Sequence, residues 1–184
     1  MKKISLLVFA VFILYDIVKS QIVGDFRTAW NDGAPTAWND PMSWEVYDGT
    51  SWVTAWDIPG ATNNVTIRSG AYYVFDDNSS CNNLTVEGTL SFWSNIGGYM
   101  VFINGDLEVN GEFITEVLGG SNAIASVYVY GNVYNNGILS LSYDDGYNYC
   151  HADMYILGNS NSNFVMNEGS LTNLYSLFLN KDDI

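Results

Sequence analysis

The 184-residue chain holds few side chains able to do chemistry: one histidine, two cysteines, two acidic clusters and a run of tryptophans. His151 is the single histidine, so no second imidazole exists to build a hydrolytic triad or a His-rich metal site around. It adjoins Cys150, but neighbours in sequence are not the spatial nucleophile–base pair that covalent catalysis needs. A turn histidine is the plainer reading. Asp76-Asp77 and Asp144-Asp145, the latter with Asp153 nearby, are the acidic clusters. Two carboxyls ~5–10 Å apart on neighbouring strands would serve glycoside chemistry. Asp144, Asp145 and Asp153 are also the candidate ligands for Ca²⁺, which takes ~6–8 oxygens. No GGxGxD calcium repeat accompanies them, and aspartates of turns are the competing reading. No organic cofactor is expected.

Aromatic rings offer a second chemistry, stacking on a sugar. Trp30, Trp38, Trp44, Trp52 and Trp56 all fall between Gln21 and Gly60, and Thr28-Ala29-Trp30-Asn31-Asp32 recurs as Thr36-Ala37-Trp38-Asn39-Asp40. Trp30, Trp38 and Trp44 are candidate ligand contacts. The competing reading is that this segment plugs the end of a core, where an indole buries a large area. Tyr128 and Tyr155, with Phe102, occupy one outward-facing sequence position. They are read either as a binding strip or as a cross-strand stack.

The elements that would carry these residues begin after residue 20. Lys2 and Lys3 precede a 12-residue apolar run, Ile4 to Tyr15, followed by Asp16, Lys19 and a small residue, Ser20. That is the layout of a secretory signal peptide, and the run is shorter than the ~20 residues of a membrane span. Cleavage after Ser20 leaves Arg27, Arg68 and Lys181 against nineteen carboxylates, a net charge of −16. Such a surface repels nucleic acid and anionic lipid, so neither is an expected partner. Apolar residues are 48% and aromatics 15%, enough for a folded core.

From Asn63 the sequence repeats: NNVTIRSG (63–70), CNNLTVEGTLSF (81–92), VFINGDLEVNGEF (101–113), VYVYGNVYNNGILSL (127–141) and MYILGNSNSNFV (154–165). Within each unit apolar residues alternate with others, the period of a strand with one buried face. Aligning the units on Gly70, Gly88, Gly105, Gly131 and Gly158 gives steps of 18, 17, 26 and 27 residues, the period of a solenoid. An antiparallel meander is the rival, because Asn-Gly occurs at 104–105, 110–111 and 136–137. Turns at both of the first two would leave a strand of only Asp106 to Val109, shorter than the usual ~5–6 residues. The expected fold is therefore all-β, a right-handed parallel β-helix. Three regions are expected: signal peptide 1–20, Trp-rich N-terminal cap 21–62 and coils 63–184. On this alignment Val65, Leu84, Val101, Val127 and Met154 form one inward column, and Thr66, Thr85, Phe102, Tyr128 and Tyr155 an outward one. Cys81 and Cys150 fall three coils apart, ~14 Å at strand spacing, too far for a disulfide. The last segment, LTNLYSLFLN (171–180), reads as a further coil with an open edge. That edge suits a truncated reading frame, or a short chain that caps itself or pairs with a partner.

WNDPMSW (38–44), a Pro-Gly turn and then NNVTIRSG, CNNLTVEGTLSF and INGDLEVNGEF resemble a run found in secreted proteins of Bacteroidetes-type bacteria. The run is also similar to the eight-glycine β-domain. The resemblance spans about residues 28 to 141. It implies a right-handed β-helix at the cell surface, adhesin-like or attached to polysaccharide-active modules, and export by a type IX system. It implies no catalytic residues. The expected function is a non-enzymatic secreted or cell-surface module, adhesin-like or structural. A carbohydrate-binding or carbohydrate-processing module is the alternative. The expected partner is an extracellular glycan or matrix.

Overall fold

The computed structural model describes residues 21–29, 33–92, 98–116, 123–158 and 162–179. The signal-peptide reading of residues 1–20 and the candidate contact Trp30 lie outside them. The described chain is all-β with parallel sheets, apart from one 3-10 turn at Pro41–Ser43.

Three sheets share the strands. The first holds β1 (Phe26–Thr28), β3 (Trp44–Tyr47), β4 (Trp52–Thr54), β5 (Val65–Ile67), β8 (Leu84–Val86), β11 (Leu107–Val109), β14 (Val133–Asn135) and β18 (Phe164–Met166). The second holds β2 (Thr36–Ala37), β6 (Tyr72–Phe75), β9 (Thr89–Phe92), β12 (Glu112–Ile114), β15 (Ile138–Ser140) and β19 (Leu171–Asn173). The third holds β7 (Ser79–Cys81), β10 (Tyr99–Ile103), β13 (Ala123–Val129), β16 (Ser142–Asp144), β17 (Tyr149–Ile156) and β20 (Ser176–Leu179).

From β5 onward, β16 apart, the chain visits the first, second and third sheets in rotation, and each strand lies parallel to the one a turn earlier. This is compatible with a β-helix-like fold. Antiparallel pairing is confined to β1–β3–β4 and to β16–β17. Asn104-Gly105, Asn110-Gly111 and Asn136-Gly137 sit at corners between sheets, so the meander is set aside.

Alternation buries one face of every sheet. Val65, Leu84, Leu107 and Val133 align in the first sheet; Val101, Val127 and Met154 align in the third. All of these are buried. The inward column Val65, Leu84, Val101, Val127 and Met154 expected from the sequence therefore joins two faces, which corrects that alignment. The reason lies in the glycines. Gly88 and Gly111 stand after strands of the first sheet, whereas Gly105, Gly131 and Gly158 stand after strands of the third. Two corners read as one repeat. The outward column divides in the same way: Thr66 and Thr85 belong with Arg27, Glu108 and Tyr134, while Phe102, Tyr128 and Tyr155 belong with Phe178.

Rings fill the lower interior. Phe75, Phe92 and Phe113 pack in series at centroid spacings of 5.4 and 5.7 Å, and Trp38 lies 4.7 Å from Phe75. Trp44 lies 4.9 Å from Trp38 and 4.9 Å from Tyr73, and its Nε1 donates to the Trp38 carbonyl at 2.8 Å. Burying that indole therefore leaves its donor satisfied. Cys81 and Cys150 are buried free thiols. Their strands are three steps apart, and Cys81 aligns through Ile103 and Val129 with Ile156, six residues beyond Cys150.

Candidate functional site

The outer face of the first sheet carries a groove of about 640 Å³. Its floor is the outward column of that sheet: Arg27, Thr66, Thr85, Glu108 and Tyr134, one residue from each of five parallel strands. Alternation forces these side chains outward, because their neighbours on either side are core. Trp52, delivered by the β3–β4 hairpin, lines the same groove.

A polar ladder runs along one margin, at the corner between the third and first sheets. Asn64 Nδ2 donates to Asp25 at 2.9 Å, and Asn64 Oδ1 accepts from Asn83 Nδ2 at 2.8 Å. Asn83 Oδ1 accepts from the Asp106 amide at 2.8 Å. Asp106 Oδ1 accepts from the Asn132 amide at 2.7 Å and from its Nδ2 at 3.0 Å. Each amide side chain satisfies the backbone of the next coil, so the margin is held by bonds in series. A site built on such a ladder is pre-organised, which lowers the ordering cost of binding.

Arg27 and Arg68 are the only cations among the described residues, and both line the groove. Both turn toward Glu45. Arg27 Nε lies 2.6 Å from Glu45 Oε2, and Arg68 Nη1 lies 3.8 Å from the same oxygen. The Arg27 guanidinium also sits 4.3 Å from the centroid of Trp52, covering one indole face. Asp25, Glu87, Asp106 and Glu108 complete the charged lining. The groove thus combines aromatic surface, hydrogen-bonding groups of both kinds and carboxylates, and its volume falls within the ~300–1,000 Å³ of small-ligand clefts.

The residues singled out from the sequence lie elsewhere. Trp38 and Trp44 are 1% and 0% exposed, so neither presents a ring face to a ligand; both are core, which corrects that expectation. Tyr128 and Tyr155 stand in a ladder, Phe102–Tyr128–Tyr155–Phe178, with centroid spacings of 5.0, 4.8 and 4.6 Å and interplanar angles of 11°, 17° and 11°. Each tyrosine has both faces covered by its neighbours in that stack. Only ring edges and hydroxyls point outward, so a sugar cannot lie flat on them. The ladder is a cross-strand stack.

The three aspartates are not brought together. Asp144 ends β16 and Asp145 opens the turn to β17, where Asp145 Oδ1 accepts the amides of Tyr147 and Asn148 at 2.9 and 2.8 Å. These bonds hold its carboxyl below the usual carboxylate range. Asp153 lies four residues along β17 from Tyr149, the partner of Asp144, and accepts a hydrogen bond from Ser176 Oγ. Among the described residues no group of three or more His, Cys, Asp and Glu side chains is placed to hold a metal ion. Asp76 is likewise occupied, accepting the Asn39 amide at 3.2 Å.

His151 lines a second cleft of about 490 Å³ with Ile124, Tyr143, Asp144, Tyr149 and Tyr175. Its ring stacks 3.9 Å from Tyr175 and 6.0 Å from Tyr149. Burial pushes the Cys81 thiol strongly up, and burial with the Glu116 carboxylate pushes that of Cys150 up to about 11. Neither sulfur is a thiolate nucleophile at neutral pH.

Sequence reasoning missed Trp52, Arg27, Arg68, Glu108 and Tyr134 as neighbours. A signal was present: both cations stand next to inward apolar residues, in Phe26-Arg27 and Ile67-Arg68. Placing them together required the true register. Comparison with known proteins found no matching protein family, curated protein or solved structure.

Proposed function

We propose that this chain is a secreted or cell-surface module, non-enzymatic and adhesin-like, that holds an extracellular glycan in the groove of its first sheet. In this reading residues 1–20 are a cleaved signal peptide, and the chain continues as a right-handed parallel β-helix. Trp38 and Trp44 close the bottom of that helix as an N-terminal cap. The resemblance to Bacteroidetes-type surface proteins supports export.

The observation that carries the reading is the groove itself. Trp52 borders a floor that carries Thr66, Thr85, Glu108 and Tyr134, a surface complementary to a ring with apolar faces and hydroxyl edges. The non-enzymatic assignment is supported by the acid–base inventory: one histidine stacked between tyrosines, two buried thiols and separated aspartates. Among the described residues no helix is long and apolar enough to cross a membrane.

The test is a pull-down of the secreted chain on insoluble polysaccharides, with Ca²⁺ and with chelator. Retention on at least one polysaccharide, lost in Trp52→Ala and kept with chelator, is the expected result. Retention lost only with chelator would move the site to carboxylates binding Ca²⁺. No retention on any polysaccharide would leave a purely structural role.

A further inference from the structure

The charge of the groove narrows the ligand class, and this step rests on the glycan reading above. Around the cleft stand Asp25, Glu87, Asp106 and Glu108, with Glu45 between the arginines: five carboxylates against two guanidiniums. Neither arginine stands as a lone cation: Arg27 is bonded to Glu45 at 2.6 Å, and Arg68 lies 3.8 Å from the same oxygen. Glu45 is shared by both, and Arg27 is also held over Trp52. An arginine already paired with a carboxylate must give up that contact before it can take an anionic sugar. The surrounding field has the same sign, since the whole chain carries a net charge of −14. A concave site lined by one sign of charge concentrates ligands of the other.

We infer that the groove selects cationic, amino-bearing glycans over neutral and anionic ones. A free amino sugar brings an ammonium for the Glu87 and Glu108 carboxylates, hydroxyls for Thr66, Thr85 and the ladder margin, and an apolar ring face for the aromatics. Glu108 faces Thr85 on one side and Tyr134 on the other, so one sugar unit can reach a carboxylate and a ring together. An acidic sugar meets like charge at the same positions. A neutral one forgoes the ionic contact while still meeting the hydroxyl and ring contacts.

The experiment uses the full secreted chain and three soluble probes of equal length. These are a β-1,4-linked glucosamine oligomer, its fully N-acetylated counterpart and an oligogalacturonate. Titration calorimetry at about pH 6, below the ordinary pKa of an amine, keeps the first probe cationic. Two exposed ion pairs of ordinary strength amount to about tenfold in affinity. The glucosamine oligomer should therefore bind about tenfold tighter than the acetylated one, the oligogalacturonate weakest, and ~0.5 M salt should erase the difference.

The variant Glu87→Gln/Glu108→Gln should lose the preference, its affinity for the glucosamine oligomer falling to that for the acetylated one. Asp57→Asn/Glu168→Gln removes the same charge from exposed positions outside the groove and should keep the preference. Equal binding of the acetylated and free-amine oligomers overturns the charge selection and leaves the glycan reading standing. So does a preference that the two double variants reduce alike, since it then belongs to the whole surface. Failure of all three probes, together with failure on insoluble polysaccharides, overturns the glycan reading and this inference with it.

Discussion

Gly111→Ala should be among the most damaging single substitutions in this chain, although it adds one methyl group. Gly111 lies at the corner between β11 and β12, stacked between Gly88 and Gly137. Its backbone is not left-handed, so torsional strain is not the issue. The issue is the coil beneath. A Cβ at 111 would sit 2.2 Å from the Gly88 carbonyl oxygen and 2.5 Å from that of Glu87, where ordinary contact begins at 3.4 Å. Both atoms are backbone and cannot rotate away. The coils would have to part by about 1 Å at a place where strands lie ~4.8 Å apart.

Three hydrogen bonds cross that corner at 2.8 Å: Asn110 and Gly111 amides to the Val86 carbonyl, and the Glu112 amide to the Gly88 carbonyl. Stretching them by about 1 Å breaks them. At ~0.5–1.5 kcal/mol each, with ~1–3 kcal/mol of overpacking strain, and with partial relaxation, the expected cost is about 4 kcal/mol. For a chain of this size that is a fall in Tm of roughly 8–16 °C. Gly146→Ala is the control. Gly146 has φ +85° but nothing within 4 Å of its Cβ position, so it carries only the ~1–2 kcal/mol left-handed penalty. Both variants are measured by urea unfolding, followed by far-UV circular dichroism. A Gly111→Ala cost no greater than that of Gly146→Ala would refute the close-approach argument.

The two kinds of tryptophan should separate cleanly in the same assay. Trp44→Ala should cost ~3–5 kcal/mol, while Trp56→Ala, at a residue 84% exposed, should stay within ~0.5 kcal/mol of the parent. Tyr155→Ala removes two stacked contacts at ~0.5–1.5 kcal/mol each, so it should cost ~1–3 kcal/mol and leave polysaccharide retention unchanged. Both cysteines should resist alkylation in the native state and react at the rate of unfolding, as mass spectrometry after timed quenching would show. Asp48 accepts the amides of Thr50 and Ser51 at 2.8 Å, which hold its carboxyl below the usual range. Its folded pKa lies below its unfolded pKa, so its contribution is present above about pH 4. That contribution is lost as pH falls through the folded value. A melting series from neutral to acid pH should show a shallower acid limb in Asp48→Ala than in the parent.

Strand alternation was fully legible in the sequence, because burial on one face imposes a period of 2 whatever the topology. The inward residues Val65, Leu84, Val101, Val127 and Met154 are all core, as their parity required. Sheet membership was not legible. At the first-to-second and the third-to-first corners the backbone of one turn passes close to the next, so glycine marks two different corners equally well. Aligning Gly88 with Gly105 then slid the later coils by one sheet. Parity survived that slip because each segment alternates independently. The outward neighbours did not survive it, and the groove is made of outward neighbours.

Coil length explains why no single alignment could have worked. Along the column Val65, Leu84, Leu107, Val133 and Phe164, successive turns take 19, 23, 26 and 31 residues. The parallel strands of the first sheet, β1, β5, β8, β11, β14 and β18, have three residues each, while β7, β10, β13 and β17 of the third sheet lengthen from 3 to 5, 7 and 8 residues. As far as β14 most of the added length therefore falls on the side of the third sheet, while the last turn also lengthens the connection from Ile156 to Phe164, beyond Tyr134. A sheet of constant strand length keeps Arg27, Thr66, Thr85, Glu108 and Tyr134 in strict register, each coil placing one side chain on the same line. Insertions that broke the sequence period left this face undisturbed. A binding surface needs that constancy, because a ligand spanning several turns meets side chains at a fixed ~4.8 Å spacing only on a face whose strands keep one length and register.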